Sequence, residues 1–137
     1  MKAILVIVSC TLILTLVYGS HGQSQFPELL PHHALSVNWN VQGDTYITTH
    51  LDGSVRLYDD NGLARTITQA HDAPVWDATF DPSGTRVATI GDDETIRIWN
   101  TTNGAVVDEI LSVGELLETI DWSPSGSQIF VSSFAEI

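Results

Sequence analysis

The side chains of this sequence best suited to holding metal or moving protons are two acidic runs, Asp59-Asp60-Asn61-Gly62 and Asp92-Asp93-Glu94, and five histidines, His21, His32, His33, His50 and His71. Their spacing argues against both uses. A calcium loop with Gly62 at its sixth place would put its first ligand on Leu57 and its bidentate acid on Thr68, neither of which carries a carboxylate. The histidines lack zinc-like spacing, and the only cysteine is Cys10. No Gly-x-Ser-x-Gly elbow or Gly-rich phosphate loop occurs, and the only lysine is Lys2. Turn formation accounts for both acidic runs. The sequence therefore offers no catalytic residue, no cofactor and no metal site.

Charge narrows the partners further. Among 137 residues, 17 acids stand against 5 bases, a net charge of -12, and Arg56, Arg65, Arg86 and Arg97 are scattered singly. Without a basic patch to neutralise phosphates, nucleic acid and anionic membrane surfaces are disfavoured as direct partners. The acidic excess favours a basic or neutral protein or peptide by electrostatic steering.

The N-terminus has the shape of a secretory signal peptide over residues 1–22. Lys2 precedes the apolar run Ala3 to Val17, and small or polar residues follow at Gly19-Ser20-His21-Gly22, where cleavage after Gly19 or Gly22 fits. The expected location is secreted, periplasmic or otherwise extracytoplasmic, with no stable membrane insertion after cleavage. An uncleaved anchor through residues 3–17 is the alternative, although that run is short for a bilayer. Ile7-Val8-Ser9-Cys10 faintly resembles a lipoprotein site, but apolar residues continue past it. A mature chain without Cys10 must hold together by packing alone.

A repeat positions the rest. Ala34 to Trp39, Val75 to Phe80 and Leu117 to Trp122 superpose at offsets of 41 and 42, each with apolar residues at its first, fourth and sixth places. A spacing of three then two breaks strand alternation once, as one bulged residue near the start of an inner strand does. Tight turns follow at Asn40 to Gly43, Asp81 to Gly84 and Ser123 to Gly126. Second strands are expected at Tyr46–Thr49, Arg86–Ile90 and Gln128–Ser132. Third strands follow at Val55–Tyr58 and Ile96–Trp99, and fourth strands at Ala64–Thr68 and Ala105–Ile110 after Asn-Gly turns. Four short antiparallel strands per repeat make a β-propeller blade. The fold expected is all-β, a partial propeller of about two and a half blades behind a hydrophobic signal segment.

From Ala70 through Asn100 the sequence resembles the WD-repeat family, and the resemblance covers residues 32–137. It implies a degenerate blade over 32–69, the best-matching blade over 70–111 and a partial blade over 112–137, with residues 23–31 a linker or ring-closing strand. It also implies a structural tetrad on His71, Thr89, Asp93 and Trp99, in which an indole N–H is linked through hydroxyl and imidazole to a carboxylate. The family's glycine before the histidine is Ala70 here, and its closing aspartate is Asn100. The first copy keeps Thr48, Asp52 and Tyr58 but aligns Leu30 with the histidine, unless His32 or His33 serves. The third has Val113 and Val131 at the histidine and hydroxyl positions. Because closed propellers of this kind need more blades, the chain reads as a fragment, as a truncated gene product, or as one that closes its ring with other subunits.

What the resemblance implies about function is a noncatalytic, exported scaffold for protein-protein interaction. The alternative is a piece of an exported propeller enzyme or metal-binding propeller whose active site lies in blades beyond this chain. Contact-prone positions at one end fall on Pro74, Trp76 and Asp92 in the second blade, on His33, Leu35 and Leu51 in the first, and on Leu116 and Glu118 in the third. Trp76 stands out as a large rigid anchor, if it does not instead pack between blades. Asn100-Thr101-Thr102 fits the glycosylation acceptor pattern.

Overall fold

Short β-branched and aromatic runs set off by Pro, Gly, Asn and Asp leave the backbone little choice but hairpins, and every described residue in regular structure is in a strand. The computed structural model describes residues 6–9, 12–15, 34–67, 69–110 and 116–133. Strands β1 (Val6–Ser9) and β2 (Leu12–Thr15) pair antiparallel. They are the part of the expected signal segment that lies within the described residues; the expected linker at 23–31, Leu30, His32, His33 and Val113 lie outside them. No helix of the described residues is long and apolar enough to cross a membrane.

The first blade sheet is β3 (Ala34–Trp39), β4 (Tyr46–His50), β5 (Val55–Asp59) and β6 (Gly62–Ile67), in that spatial order. The second is β7 (Val75–Phe80), β8 (Arg86–Gly91), β9 (Ile96–Asn100) and β10 (Val106–Ile110), also in consecutive order. A third sheet pairs β11 (Leu117–Trp122) with β12 (Ile129–Ser133). All are antiparallel meanders. The second strands run one residue further than the sequence suggested, to His50, Gly91 and Ser133. The fourth strand of the first sheet starts earlier, at Gly62, because Gly62 already pairs with Asp59 and only Asp60 and Asn61 are left in the loop. Asp59 accepts the Asn61 N–H at 2.7 Å there, so the carboxylate shapes the turn.

The bulge occurs in all three inner strands. Ala34 pairs with His50 but Ser36 with Thr49, Val75 with Gly91 but Asp77 with Ile90, and Leu117 with Ser133 but Thr119 with Ser132. Leu35, Trp76 and Glu118 are thus the extra residues, one per sheet. At the opposite end, the turn glycines Gly43, Gly84 and Gly126 all take positive φ, and each donates its N–H to the turn's first residue at 2.8 to 3.1 Å.

The apolar core lies between sheets. Ile47, Val55 and Leu57 of the first sheet meet Val75, Ala78, Phe80, Val87 and Trp99 of the second. From the other face of the second sheet, Ala88, Ile90, Ile96 and Ile98 meet Leu117, Ile120 and Trp122. β8 is therefore covered on both faces, and from Val87 to Gly91 every residue is buried. That is why its sequence is a continuous run of small and branched residues instead of an alternation. Each large aliphatic side chain so covered contributes about 1.5–3 kcal/mol.

Candidate functional site

The second sheet assembles the tetrad from four separate segments. Trp99 on β9 donates its indole N–H to Thr89 Oγ1 at 2.9 Å, and Thr89 on β8 meets His71 Nε2 at 2.7 Å. His71, in the loop before β7, meets Asp93 Oδ1 through Nδ1 at 2.8 Å. Asp93 also takes the Thr95 hydroxyl at 2.8 Å and the Asp72 N–H at 3.2 Å. Burial lowers His71 below the usual imidazole range, outweighing the Asp93 carboxylate that favours the charged form. A neutral ring that accepts at Nε2 and donates from Nδ1 fits this chain of donors. Burial alone would raise Asp93, but its hydrogen bonds from His71 and Thr95 hold it below the usual carboxylate range. All four groups are committed to one another.

The first sheet solves the same problem differently. His50, the last residue of β4, puts its Nε2 2.8 Å from Thr48 Oγ1, and both residues are buried. The sequence alignment had looked to Leu30, His32 or His33 for this histidine. His50 aligns with Gly91 through its pairing with the start of the inner strand. A Cβ on Gly91 would stand 2.8 Å from His71 Nδ1 and 2.9 Å from its Cγ. Glycine there makes room for the incoming His71; in the first sheet a histidine fills that space itself. Tyr58, aligned with Trp99, stacks on Tyr46 at 4.8 Å and 5°, and Trp39 tilts onto the same ring at 4.9 Å. Asp52 accepts the Ser54 N–H at 2.9 Å and pairs with Arg56 at 3.3 Å. In the third sheet Val131 is exposed, and the buried Trp122 Nε1 has no partner among the described residues.

The bulges set the geometry of the candidate partner face. Trp76 is 38% exposed and donates its indole N–H to Asp92, on the turn between β8 and β9. Asp92 in turn donates its N–H to the Pro74 carbonyl at 2.9 Å, which ties that turn to the start of β7. The indole is neither packed away between blades nor free to swing. Glu118 is exposed, Leu35 and Pro74 are half-buried, and Leu51 and Leu116 are about half exposed at the same end of the sheets. His33 lies outside the described residues.

Behind this face the inner strands are tied by polar contacts. Asp77 accepts Asn38 Nδ2 at 3.1 Å from the first sheet and the Ile120 N–H at 3.1 Å from the third. Burial raises its carboxyl above the usual range despite these donors. Thr79 donates to Asp121 at 3.3 Å. At the far end, a cleft of about 280 Å³ opens between the first two sheets, lined in part by Asp59, Arg65, Phe80 and Thr102. Arg65 spends its guanidinium on the Thr102 and Asn103 carbonyls, at 2.5 and 3.1 Å. Asn100 caps the same turn, its Oδ1 accepting the N–H groups of Thr102 and Asn103. Among the described residues, no three His, Cys, Asp or Glu side chains group as a metal site.

Two four-stranded antiparallel meanders packed face to face, with a third hairpin on the far side of the second, have the form of successive β-propeller blades. Residues 63–100 match the family model described as WD domain, G-beta repeat. The chain is 30% identical over 121 residues to the COMPASS component SWD3 of Saccharomyces cerevisiae, covering 85% of this chain and 38% of that protein. It is 29% identical over 103 residues to the serine-threonine kinase receptor-associated protein of Dictyostelium discoideum, covering 73% and 34%. It is 35% identical over 72 residues to the ribosome biogenesis protein erb1 of Neurospora crassa, covering 52% and 9%. The crystal structure of the Cps50 (Swd1) β-propeller domain of Myceliophteria thermophila superposes with a TM-score of 0.69 at 19% identity, over 75% of this chain and 32% of that one. The chain is a WD-repeat protein, and it spans less than two-fifths of the length of each of these relatives.

Proposed function

We propose that the chain is a noncatalytic scaffold segment whose upper face, centred on Trp76, docks another protein. The observation that carries this reading is the alignment of three bulges, which turn Leu35, Trp76 and Glu118 out of their ladders at one end while Asp92 fixes the indole. A rigid, partly exposed tryptophan is the kind of residue that dominates binding energy at protein interfaces. The titratable groups of the tetrad are absorbed by one another, which leaves no poised acid, base or nucleophile among them. The relatives' names support the reading, since SWD3 is a component of COMPASS and another relative is receptor-associated.

Site-specific photo-crosslinking tests it. A crosslinker at position 76 should capture a partner protein, and one at Val106, on the exposed outer strand β10, should not. Equal capture at both positions, or none at 76, refutes the docking face; turnover of a substrate lost on changing Trp76 or Asp92 would favour the enzyme alternative.

Export of the chain belongs to the same proposal, on the strength of Lys2 and the apolar run from Ala3 to Val17. Recovery of the protein outside the cytoplasm with a new N-terminus near Ser20 or Gln23 supports it, and an intact Met1 on intracellular protein overturns it.

A further inference from the structure

The proposed docking face has a charge pattern that selects what it takes. Every described arginine already has partners: Arg56 has Asp52, Arg65 two turn carbonyls, Arg86 Asp81 and the Trp122 ring, and Arg97 Glu109, the Ala70 carbonyl and, at 3.7 Å, Asp93. All four lie on second, third or fourth strands of their sheets. Asp52, Asp81 and Asp93 are the carboxylates these arginines neutralise at the turns, whereas no arginine pairs with Asp92 or Glu118 among the described residues.

The state of Trp76 points the same way. Its N–H already belongs to Asp92, so the donor edge of the indole has nothing left to offer a ligand. What remains for a ligand is the ring itself, whose faces are electron-rich, and more so with a carboxylate bonded to the N–H. Such a face attracts ammonium and guanidinium groups. Leu51 and Leu116, at the same end of the neighbouring sheets and about half exposed, supply apolar surface for the methylenes of a long basic side chain or for its neighbours.

Resting on the docking face proposed above, we infer that its occupant is a lysine- or arginine-bearing segment of a partner protein, with a cation seated on the exposed face of Trp76 and Asp92 and Glu118 supplying the complementary charge. The net charge of -12 speeds the encounter, and the fixed indole gives it a geometric end point.

The test uses the full chain and three synthetic peptides with the same leucines and with lysine, glutamine or glutamate at the remaining positions, titrated by fluorescence anisotropy. The lysine peptide should bind at least about tenfold more tightly than the glutamine peptide. Trp76→Ala should weaken it about tenfold or more and Glu118→Gln about threefold. Asp108→Asn, which removes one charge from the outer strand β10, should change it less than about twofold. Glu118→Gln leaves the core untouched, so the inference stays testable should Trp76→Ala misfold. If the glutamine peptide binds as well as the lysine peptide and both are lost with Trp76, the face stands and the basic occupant is wrong. Equal losses from Asp108→Asn and Glu118→Gln would mean diffuse attraction and overturn the inference. If no peptide responds to Trp76→Ala, the inference falls together with the face.

Discussion

The second sheet brings its histidine in from the preceding loop and leaves Gly91 bare to receive it, whereas the first sheet grows His50 at that very position. Both end with an imidazole against a threonine on the second strand, at 2.7 and 2.8 Å. The third-strand aromatic differs to match: Trp99 donates into the relay, while Tyr58 stacks on Tyr46. What a blade requires is a satisfied polar plug beneath its upper turn, and the segment that supplies the histidine is negotiable.

Trp99→Ala should break this comparison hardest. It removes a buried indole between two sheets and strands Thr89, at a cost of about 3–5 kcal/mol, read as a shift in the urea midpoint. An unchanged midpoint would show that the relay does not hold the blade. A double-mutant cycle on Gly91→His and His71→Ala sharpens the comparison. Gly91→His alone collides with His71 and should cost about 1–3 kcal/mol. With His71 removed the new imidazole can take the His50 arrangement, so the double variant should be at least ~1 kcal/mol more stable than the two losses added. Strict additivity would mean that the two solutions are not interchangeable.

A smaller effect is expected with pH. His71 is held below its usual value of 6.5 by burial, so the unfolded chain binds a proton that the folded one refuses as pH drops through about 6.5. Stability should therefore fall from pH 7 to pH 5, more steeply in the wild type than in His71→Gln. Equal slopes, measured by chemical denaturation, would contradict the neutral relay. The smallest effect is a gain. Glu94 has φ +59° at the turn position where the first sheet has Gly53 at +76°, so Glu94→Gly should raise stability by about 0.5 kcal/mol in thermal melts.

Much of this was legible because the repeat is punctuated. The apolar spacing of three then two located all three bulges, and the Pro-Ser-Gly and Asn-Gly turns fixed the meander. His71, Thr89, Asp93 and Trp99 could be matched to a tetrad because each sits at its family position. His50 was missed because the expected second strand stopped at Thr49, which left His50 to the following turn, and the search for the histidine ran upstream. The signal was present in its alignment with Gly91 and its place two residues after Thr48, on the same strand face. Asp77 was invisible for another reason: its counterparts are Ser36 and Thr119, and a carboxylate that ties three sheets together is a property of packing that no single repeat encodes.

The residues that leave the ladder at each bulge have no cross-strand partner to satisfy. Leucine, tryptophan and glutamate occupy these three places, and the flanking pairs keep the same register in all three sheets. A lineage can therefore exchange these side chains, changing what the surface prefers, without renegotiating a single rung of the framework beneath. Affinity and foldability become separate variables, adjustable one repeat at a time.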